Sequence, residues 1–210
     1  MKFFPINLNI NNKLCVIVGC GKVGERKAFD LFDYNVKIRI VSLDFTENVL
    51  NYSKRFELIK SEYKKDYIKN AFLVFACTDD KSINLQIYKD AKENGALVNI
   101  ANYPEFCDFT LPAVVKRGKV KIAISSEGTS PALSRIIKEK ISNVIGNEYE
   151  ILAHIMGKIR EKQLKLNLNS NENRKKFYKF LNSDILEILK EKDYKQKINK
   201  KVKEIFGFEI

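Results

Sequence analysis

Histidine is almost absent: His154 is the only one among 210 residues, and the four cysteines, Cys15, Cys20, Cys77 and Cys107, stand far apart with no Cys-x-x-Cys pair. A structural zinc centre needs closely spaced ligands of these types, so no metal site is expected. The thiols read instead as reduced, two of them within apolar runs of strand type, as suits a reducing compartment. His154, beside Ile151, Leu152 and Ile155, reads as an ordinary packed or surface histidine. Long apolar runs are missing too. No stretch approaches the roughly 20 residues of a membrane span, and Pro5 and Asn7 interrupt the start before a signal-type core develops. The expectation is a cytoplasmic protein with no membrane partner. Recognised nucleic-acid motifs and an aromatic stacking pattern are also lacking, so no nucleic-acid partner is expected.

Negative charge is the scarcer sign, with 26 Asp and Glu against 38 Lys and Arg and a net charge of +12. The surplus is lysine, densest after Arg174. Solvated helix faces account for it, or else a surface for an anionic partner. At this length the chain exceeds one minimal domain and falls short of two large ones, which suits a nucleotide domain joined to a smaller module.

What is present is organised around residues 14–28, where the apolar run Leu14-Cys15-Val16-Ile17-Val18 enters Gly19-Cys20-Gly21-Lys22-Val23-Gly24 and leaves on a segment of helical composition. This is a Gly-x-Gly-x-x-Gly cluster in the strand–turn–helix context of the dinucleotide fingerprint. Gly19 would permit the tight turn, Gly21 would let the backbone approach a diphosphate, and Gly24 would let the helix pack closely on its strand. The diphosphate would sit on the free N–H groups of the helix start.

Residues 3–8 suggest an edge strand, and unalternated apolar runs at 13–18, 36–41, 56–60, 72–76 and 97–100 suggest parallel strands covered on both faces. Helices are expected over about 23–34 and 82–93, the latter capped by Asp79 or Asp80 and closed by Gly95. The second strand ends at Ser42-Leu43-Asp44, about 20 residues beyond the glycines, where an acid often accepts ribose hydroxyls. Asp44 either reaches that ribose or caps the helix beginning near Thr46. With no acid at the strand tip itself, NAD over NADP is only a leaning. The glycine turn, Ser42 to Asp44, Thr78 to Asp80 and Ala101 to Tyr103 all fall at carboxyl ends of strands and should converge on one crevice.

Beyond residue 102 the pattern changes. Residues 109–115 and 119–125 read as a hairpin about Lys116-Arg117-Gly118. Ser130-Pro131 then opens a helix to about Val144, and its start, preceded by Ser126, Gly128 and Thr129, could receive an anionic group. The remainder reads as helices, one over 148–162, a polar break at 167–173, then two or three more.

Four stretches, Val-Gly-Cys-Gly-Lys-Val-Gly-Glu-Arg-Lys-Ala at 18–28, Ala-Cys-Thr-Asp-Asp at 76–80, Cys-Asp-Phe-Thr-Leu-Pro-Ala at 107–113 and Ile-Ser-Ser-Glu-Gly-Thr-Ser-Pro-Ala-Leu-Ser-Arg at 124–135, resemble in order and spacing the precorrin-2 dehydrogenases of sirohaem biosynthesis. The resemblance extends over nearly the whole chain. It implies an α/β fold with an N-terminal Rossmann-type parallel sheet over 1–113, a central β-hairpin and helix dimerisation region over 114–145, and a C-terminal helical domain over 146–210. It implies NAD⁺-dependent oxidation of precorrin-2 to sirohydrochlorin in a homodimer, and in some relatives Fe²⁺ insertion as well. By position, Lys22 and Val23 match cofactor contacts after the glycine turn, Leu43 and Asp44 match adenosine-side contacts, and Thr78 and Asp79 match the nicotinamide side. Ser126 matches a serine of the tetrapyrrole cleft, which with Gly128, Thr129 and Ser130 makes the candidate substrate contacts. Asn102 stands where the family often has an aspartate assigned to proton transfer or metal delivery. An amide is no general base at pH 7, so Asn102 and Ser126 are candidate catalytic positions without an assigned base, and Asp108 is a possible substitute. Two alternatives stay open: a bifunctional dehydrogenase and ferrochelatase, and a non-catalytic NAD-sensing module.

Overall fold

The structure is a computed structural model describing residues 3–166 and 170–210. The chain forms two compact units, Met1–Leu111 and Pro112–Ile210.

The first unit is built on a five-stranded, wholly parallel sheet of β1 (Leu14–Val18), β2 (Lys37–Ser42), β3 (Glu57–Lys60), β4 (Leu73–Ala76) and β5 (Leu97–Ile100) in the order β3-β2-β1-β4-β5. The apolar runs lack alternation because each strand is covered twice. In β1, Cys15 and Ile17 enter one core with Ile40, Phe75 and Cys77, while Val16 and Val18 enter the other with Val74, Ala76 and Val98. Full burial of a side chain such as Ile17 contributes about 1.5–3 kcal/mol. Helix α1 (Lys22–Asp30) leads from β1 to β2, a short α2 (Glu47–Asn51) follows β2, and α3 (Lys81–Glu93) leads from β4 to β5. The strand order reverses between β1 and β4, so the first unit has its switch point beside the glycine turn.

Four expectations are corrected in detail. Residues 3–10 form no strand; Pro5 withholds a donor, and Phe4, 84% exposed, finds no sheet face to cover it. Helix α1 ends at Asp30 and not near Tyr34. Leu31 and Phe32 bond back to Ala28 and Phe29 in tighter turns, and Phe32 packs edge-on against Tyr52 and Phe56, which returns the chain to β2. The first hairpin strand starts at Ala113 and not at 109, because Phe109 packs edge-on against Phe75 in the first unit. The polar run expected as a break is helical from Ser170 onward, and its first part, 167–169, lies outside the described residues.

The second unit opens with an antiparallel hairpin, β6 (Ala113–Arg117) and β7 (Val120–Ile124), followed by α4 (Pro131–Val144), α5 (Glu148–Lys165), α6 (Ser170–Leu181), α7 (Ile185–Ile188) and α8 (Tyr194–Phe206). Arg117 fastens hairpin to helix: its Nε donates to the Ile145 carbonyl at 2.8 Å and its Nη2 to that of Ser142 at 3.0 Å, satisfying carbonyls that the end of α4 leaves open. Ile155 and Ile159 of α5, Phe180 of α6, Ile185 of α7 and Val202 and Phe206 of α8 make a separate core. His154 is exposed. Among the described residues no helix is long and apolar enough to cross a membrane.

Candidate active site

The glycine turn closes the carboxyl end of β1, and each glycine stands there for a different physical reason. Gly19 has φ +93° and donates its N–H to Val41 O at 2.8 Å; a Cβ on it would lie 2.5 Å from the carbonyl oxygen of Cys77, so both conformation and space require glycine. A Cβ on Gly24 would overlap the Gly19 carbonyl oxygen and approach its carbon to 2.9 Å, so this position holds the first turn of α1 tight against the loop. Gly21 is different. Its φ of −77° and ψ of −169° suit any residue, and a Cβ would meet nothing within 4 Å. The fold does not need glycine at 21, but a ligand lying against that backbone does. Gly21 is also the N-cap of α1 and offers no side-chain acceptor, so the helix start keeps its amides and dipole available for an anion. The turn therefore fits a dinucleotide diphosphate.

Ser42, at the tip of β2, accepts a hydrogen bond from the Cys20 N–H at 3.1 Å. Its hydroxyl thus braces the glycine turn. The choice left open for Asp44 resolves in part, because Thr46 is the cap of α2, accepting from Val49 N–H at 3.4 Å. The Asp44 side chain is 88% exposed and paired with Lys60 at 3.1 Å, and Leu43 beside it is also exposed. Across the sheet, Asp80 caps α3 by accepting from Ser82 N–H at 2.7 Å and Ile83 N–H at 3.2 Å, and it also accepts from the Ser82 hydroxyl at 2.6 Å; these bonds lower its carboxyl pKa, the hydroxyl's most.

Thr78 is held by a residue the sequence reading passed over. Asn84 is only 3% exposed; its Oδ1 accepts from the Thr78 N–H at 3.2 Å and from the Thr78 hydroxyl at 2.8 Å, and its Nδ2 donates to the Thr78 carbonyl at 2.8 Å. The β4–α3 turn is fixed from beneath, leaving Asp79 exposed above it. The signal was available: Asn84 shares the apolar period of Ile87 and Ala91 on α3.

Asn102 follows β5, exposed and left-handed at φ 66°, a conformation Asn tolerates well. The end of β5 is tied to β4 through Ala101 N–H to Ala76 O at 2.9 Å. Asp108 is already employed: one oxygen accepts from Val98 N–H at 3.0 Å and the other pairs with Lys92 at 2.7 Å. The ends of β1, β2, β4 and β5 therefore bring Gly19 to Gly24, Ser42 to Asp44, Thr78, Asp79 and Asn102 to one edge of the sheet.

The thiols are held protonated. Burial pushes Cys15 up to about 12 and Cys77 up to about 11, and it raises Cys20 and Cys107 as well. All four are free thiols.

In the second unit, residues 126–129 form a turn closed by Thr129 N–H to Ser126 O at 2.9 Å, with Glu127 at φ 49° and Gly128 at φ 82°. The Ser126 hydroxyl donates to Ser130 O at 3.0 Å and accepts from Ser130 N–H at 3.2 Å and from the buried Ser134 hydroxyl at 3.1 Å. Ser130 caps α4, accepting from Leu133 N–H at 3.2 Å. Ser126 and Ser130 thus shape the turn, and Gly128 has open space around its α-carbon.

Comparison with known proteins gives two family matches, a putative NAD(P)-binding family over residues 6–113 and the central region of sirohaem biosynthesis proteins over 117–143. A siroheme synthase of Nitrosococcus oceani is 34% identical over 164 residues, 77% of this chain and 35% of the relative. One of Mannheimia succiniciproducens is 32% identical over 183 residues, 86% of this chain and 38% of the relative. The chain thus spans less than two-fifths of the length of these relatives. Among solved structures, "SirC, precorrin-2 dehydrogenase" has a TM-score of 0.77 at 21% identity, covering 94% of this chain and 100% of that one, so the folds are alike. The chain belongs to the putative NAD(P)-binding family, whose match over residues 6–113 includes the glycine turn.

Proposed function

We propose that the protein catalyses NAD⁺-dependent oxidation of precorrin-2 to sirohydrochlorin, a step of sirohaem biosynthesis, in a cytoplasmic setting. The observation that carries this reading is coverage: the likeness to the precorrin-2 dehydrogenase takes in all of that chain, whereas the similar siroheme synthases extend far beyond the shared part.

In this reading Gly19, Gly21, Lys22, Val23 and Gly24 hold the cofactor diphosphate, Leu43 and Asp44 meet the adenosine ribose, and Thr78 and Asp79 line the nicotinamide side. Bound NAD⁺ supplies the carbon that accepts hydride. The chain's own contribution is placement. Ser42 braces the loop through Cys20 N–H, and Asn84 fixes Thr78, so both act as positioning residues. An Asp44 carboxylate suits ribose hydroxyls, which favours NAD over NADP, while its pairing with Lys60 offsets its repulsion of a 2′-phosphate. On the second unit Ser126, Gly128, Thr129 and Ser130 are the proposed contacts to a polycarboxylate substrate, with the Ser126 hydroxyl shaping the turn. Asn102 offers the substrate a hydrogen bond and not a base. Asp108, committed to Val98 and Lys92, is set aside as its substitute, and ferrochelatase activity is not part of the reading.

The second unit divides in this proposal into a pairing region, 114–145, and a helical domain, 146–210. Val114, Leu133, Ile136 and Val144 are exposed, Val144 at 72%, and Ile122, Ile141 and Ile145 line a shallow depression beside it. An apolar surface of this kind supports a homodimer.

Anaerobic incubation with precorrin-2 and NAD⁺ should yield NADH and the sirohydrochlorin spectrum. Folded protein that binds NADH and leaves the spectrum unchanged would instead be the NAD-sensing module.

A further inference from the structure

At the opposite end of the sheet from the glycine turn lies an open depression of about 520 Å³, lined by the amino-terminal ends of β1, β2 and β3 and by the turns that lead into β1 and β4. Its apolar floor is Leu14, Ala71 and Phe72. Two β-turns frame it, closed by Lys13 N–H to Ile10 O and by Ala71 N–H to Ile68 O, each at 3.0 Å and each with an asparagine at positive φ, Asn12 at 58° and Asn70 at 61°. β1 is five residues long, so roughly 16 Å separates this depression from the glycine turn.

The charges around it do not balance. Lys13, Lys37 and Arg39 line the depression with a single carboxylate, Glu57. Arg39 donates from Nη1 to Tyr67 O at 2.7 Å and pairs through Nη2 with Glu57 at 3.0 Å, while its Nε is shut off from water without an acceptor. The guanidinium is therefore only partly satisfied. Among the described residues Lys13 and Lys37 form no ion pair, and the Lys13 ammonium stands over the Phe72 ring at 5.4 Å. Lys37 and Arg39, two residues apart on β2, share one face of the strand. Three cations against one carboxylate leave an excess of two positive charges around a concave, ligand-sized space.

We propose that this depression binds a compact dianion, a phosphate monoester or small dicarboxylate, held by Lys13 and Lys37 with the Arg39 charge beside them. A doubly charged anion matches the excess. It would also relieve the repulsion among three cations gathered with one counter-charge.

The test titrates the whole chain, kept saturated with NADH so that the glycine turn is blocked, with inorganic phosphate and separately with malonate by calorimetry. A single saturable site is expected, weakened roughly tenfold by Lys37→Gln and abolished in the double variant Lys13→Gln/Lys37→Gln. Both lysines are exposed, and an unchanged thermal melt and NADH affinity in the variants exclude misfolding as the cause. Binding of phosphate alone, or of phosphate and malonate alike, supports the site and separates phosphate geometry from charge as what it reads. The proposal is overturned if neither anion binds, if the double variant binds equally well, or if phosphate and NADH displace one another.

Discussion

Gly21 and Gly24 lie three residues apart in one turn, yet the structure gives them opposite duties, and alanine substitution separates them. In Gly24→Ala the new methyl overlaps the Gly19 carbonyl oxygen, which belongs to backbone and cannot swing aside. Either the α1 start or the loop must shift. Overpacking of this kind costs about 1–3 kcal/mol or more, which for a unit of this size lowers the melting temperature by roughly 10–20 °C at the upper end. In Gly21→Ala the methyl meets no protein atom within 4 Å and the backbone angles are ordinary, so the melting temperature should move by no more than a few degrees. The same methyl fills the space a diphosphate would use. NADH affinity should therefore fall about 100-fold or more, some 2.7 kcal/mol, in a protein as stable as the parent. Thermal melts paired with NADH fluorescence titrations read both quantities. Parental NADH affinity in Gly21→Ala would refute the assignment of the open α-carbon to the cofactor, and an unshifted melt in Gly24→Ala would refute the packing argument.

Four further outcomes follow from individual contacts. Asn84→Ala strips the Thr78 N–H and carbonyl of their buried partner and should cost about 2–3 kcal/mol in urea unfolding, together with weakened NADH binding. Asp80 has its carboxyl pKa lowered by the Ser82 hydroxyl and by the capped N–H groups of α3, so its stabilising contribution is present above the unfolded carboxyl pKa and is lost as pH falls through the lower folded value. A parent that loses its stability advantage over Asp80→Ala on acidification bears this out, and a gap independent of pH does not. With burial raising all four thiols, Cys15 to about 12 and Cys77 to about 11, a disulfide reagent at pH 8 should label the native chain slowly and release all four only in denaturant. Asn102→Asp assayed with sirohydrochlorin and Fe²⁺ should raise metal insertion above the parent if a carboxylate at this place is what chelation lacks; equal rates would refute that reasoning.

Much of the first unit was legible because its signals are local. A parallel strand buried on both faces needs an unbroken apolar run, and residues 14–18 and 73–76 supply one each. The glycine turn was legible for a stronger reason, since left-handed φ at Gly19 and the close approach at Gly24 are demands that only one residue type meets. Boundaries failed where distant contacts decided them. Nothing within residues 23–34 says that Phe32 will turn back toward Tyr52 and Phe56, and within 3–8 Pro5 alone argues against a sheet edge.

The site shows the same division at the level of single side chains. A serine at a strand tip looks alike whether its hydroxyl faces a ribose or a loop amide, and only the fold brings Cys20 N–H to Ser42. Asp108 likewise looks like a free carboxylate until β5 presents Val98 N–H to it and α3 presents Lys92. In both cases a residue that sequence assigns to chemistry is engaged in holding the backbone that carries the chemistry. Gly21 runs the other way: it alone of the turn's three glycines meets no demand of the fold, so it is the glycine whose identity speaks most directly for a ligand. The physical test for function at this edge of the sheet is therefore what remains unexplained once each residue's structural work has been subtracted. By that measure Gly21 and the uncapped start of α1 carry the dinucleotide reading, whereas Ser42 and Asp108 support it only from behind.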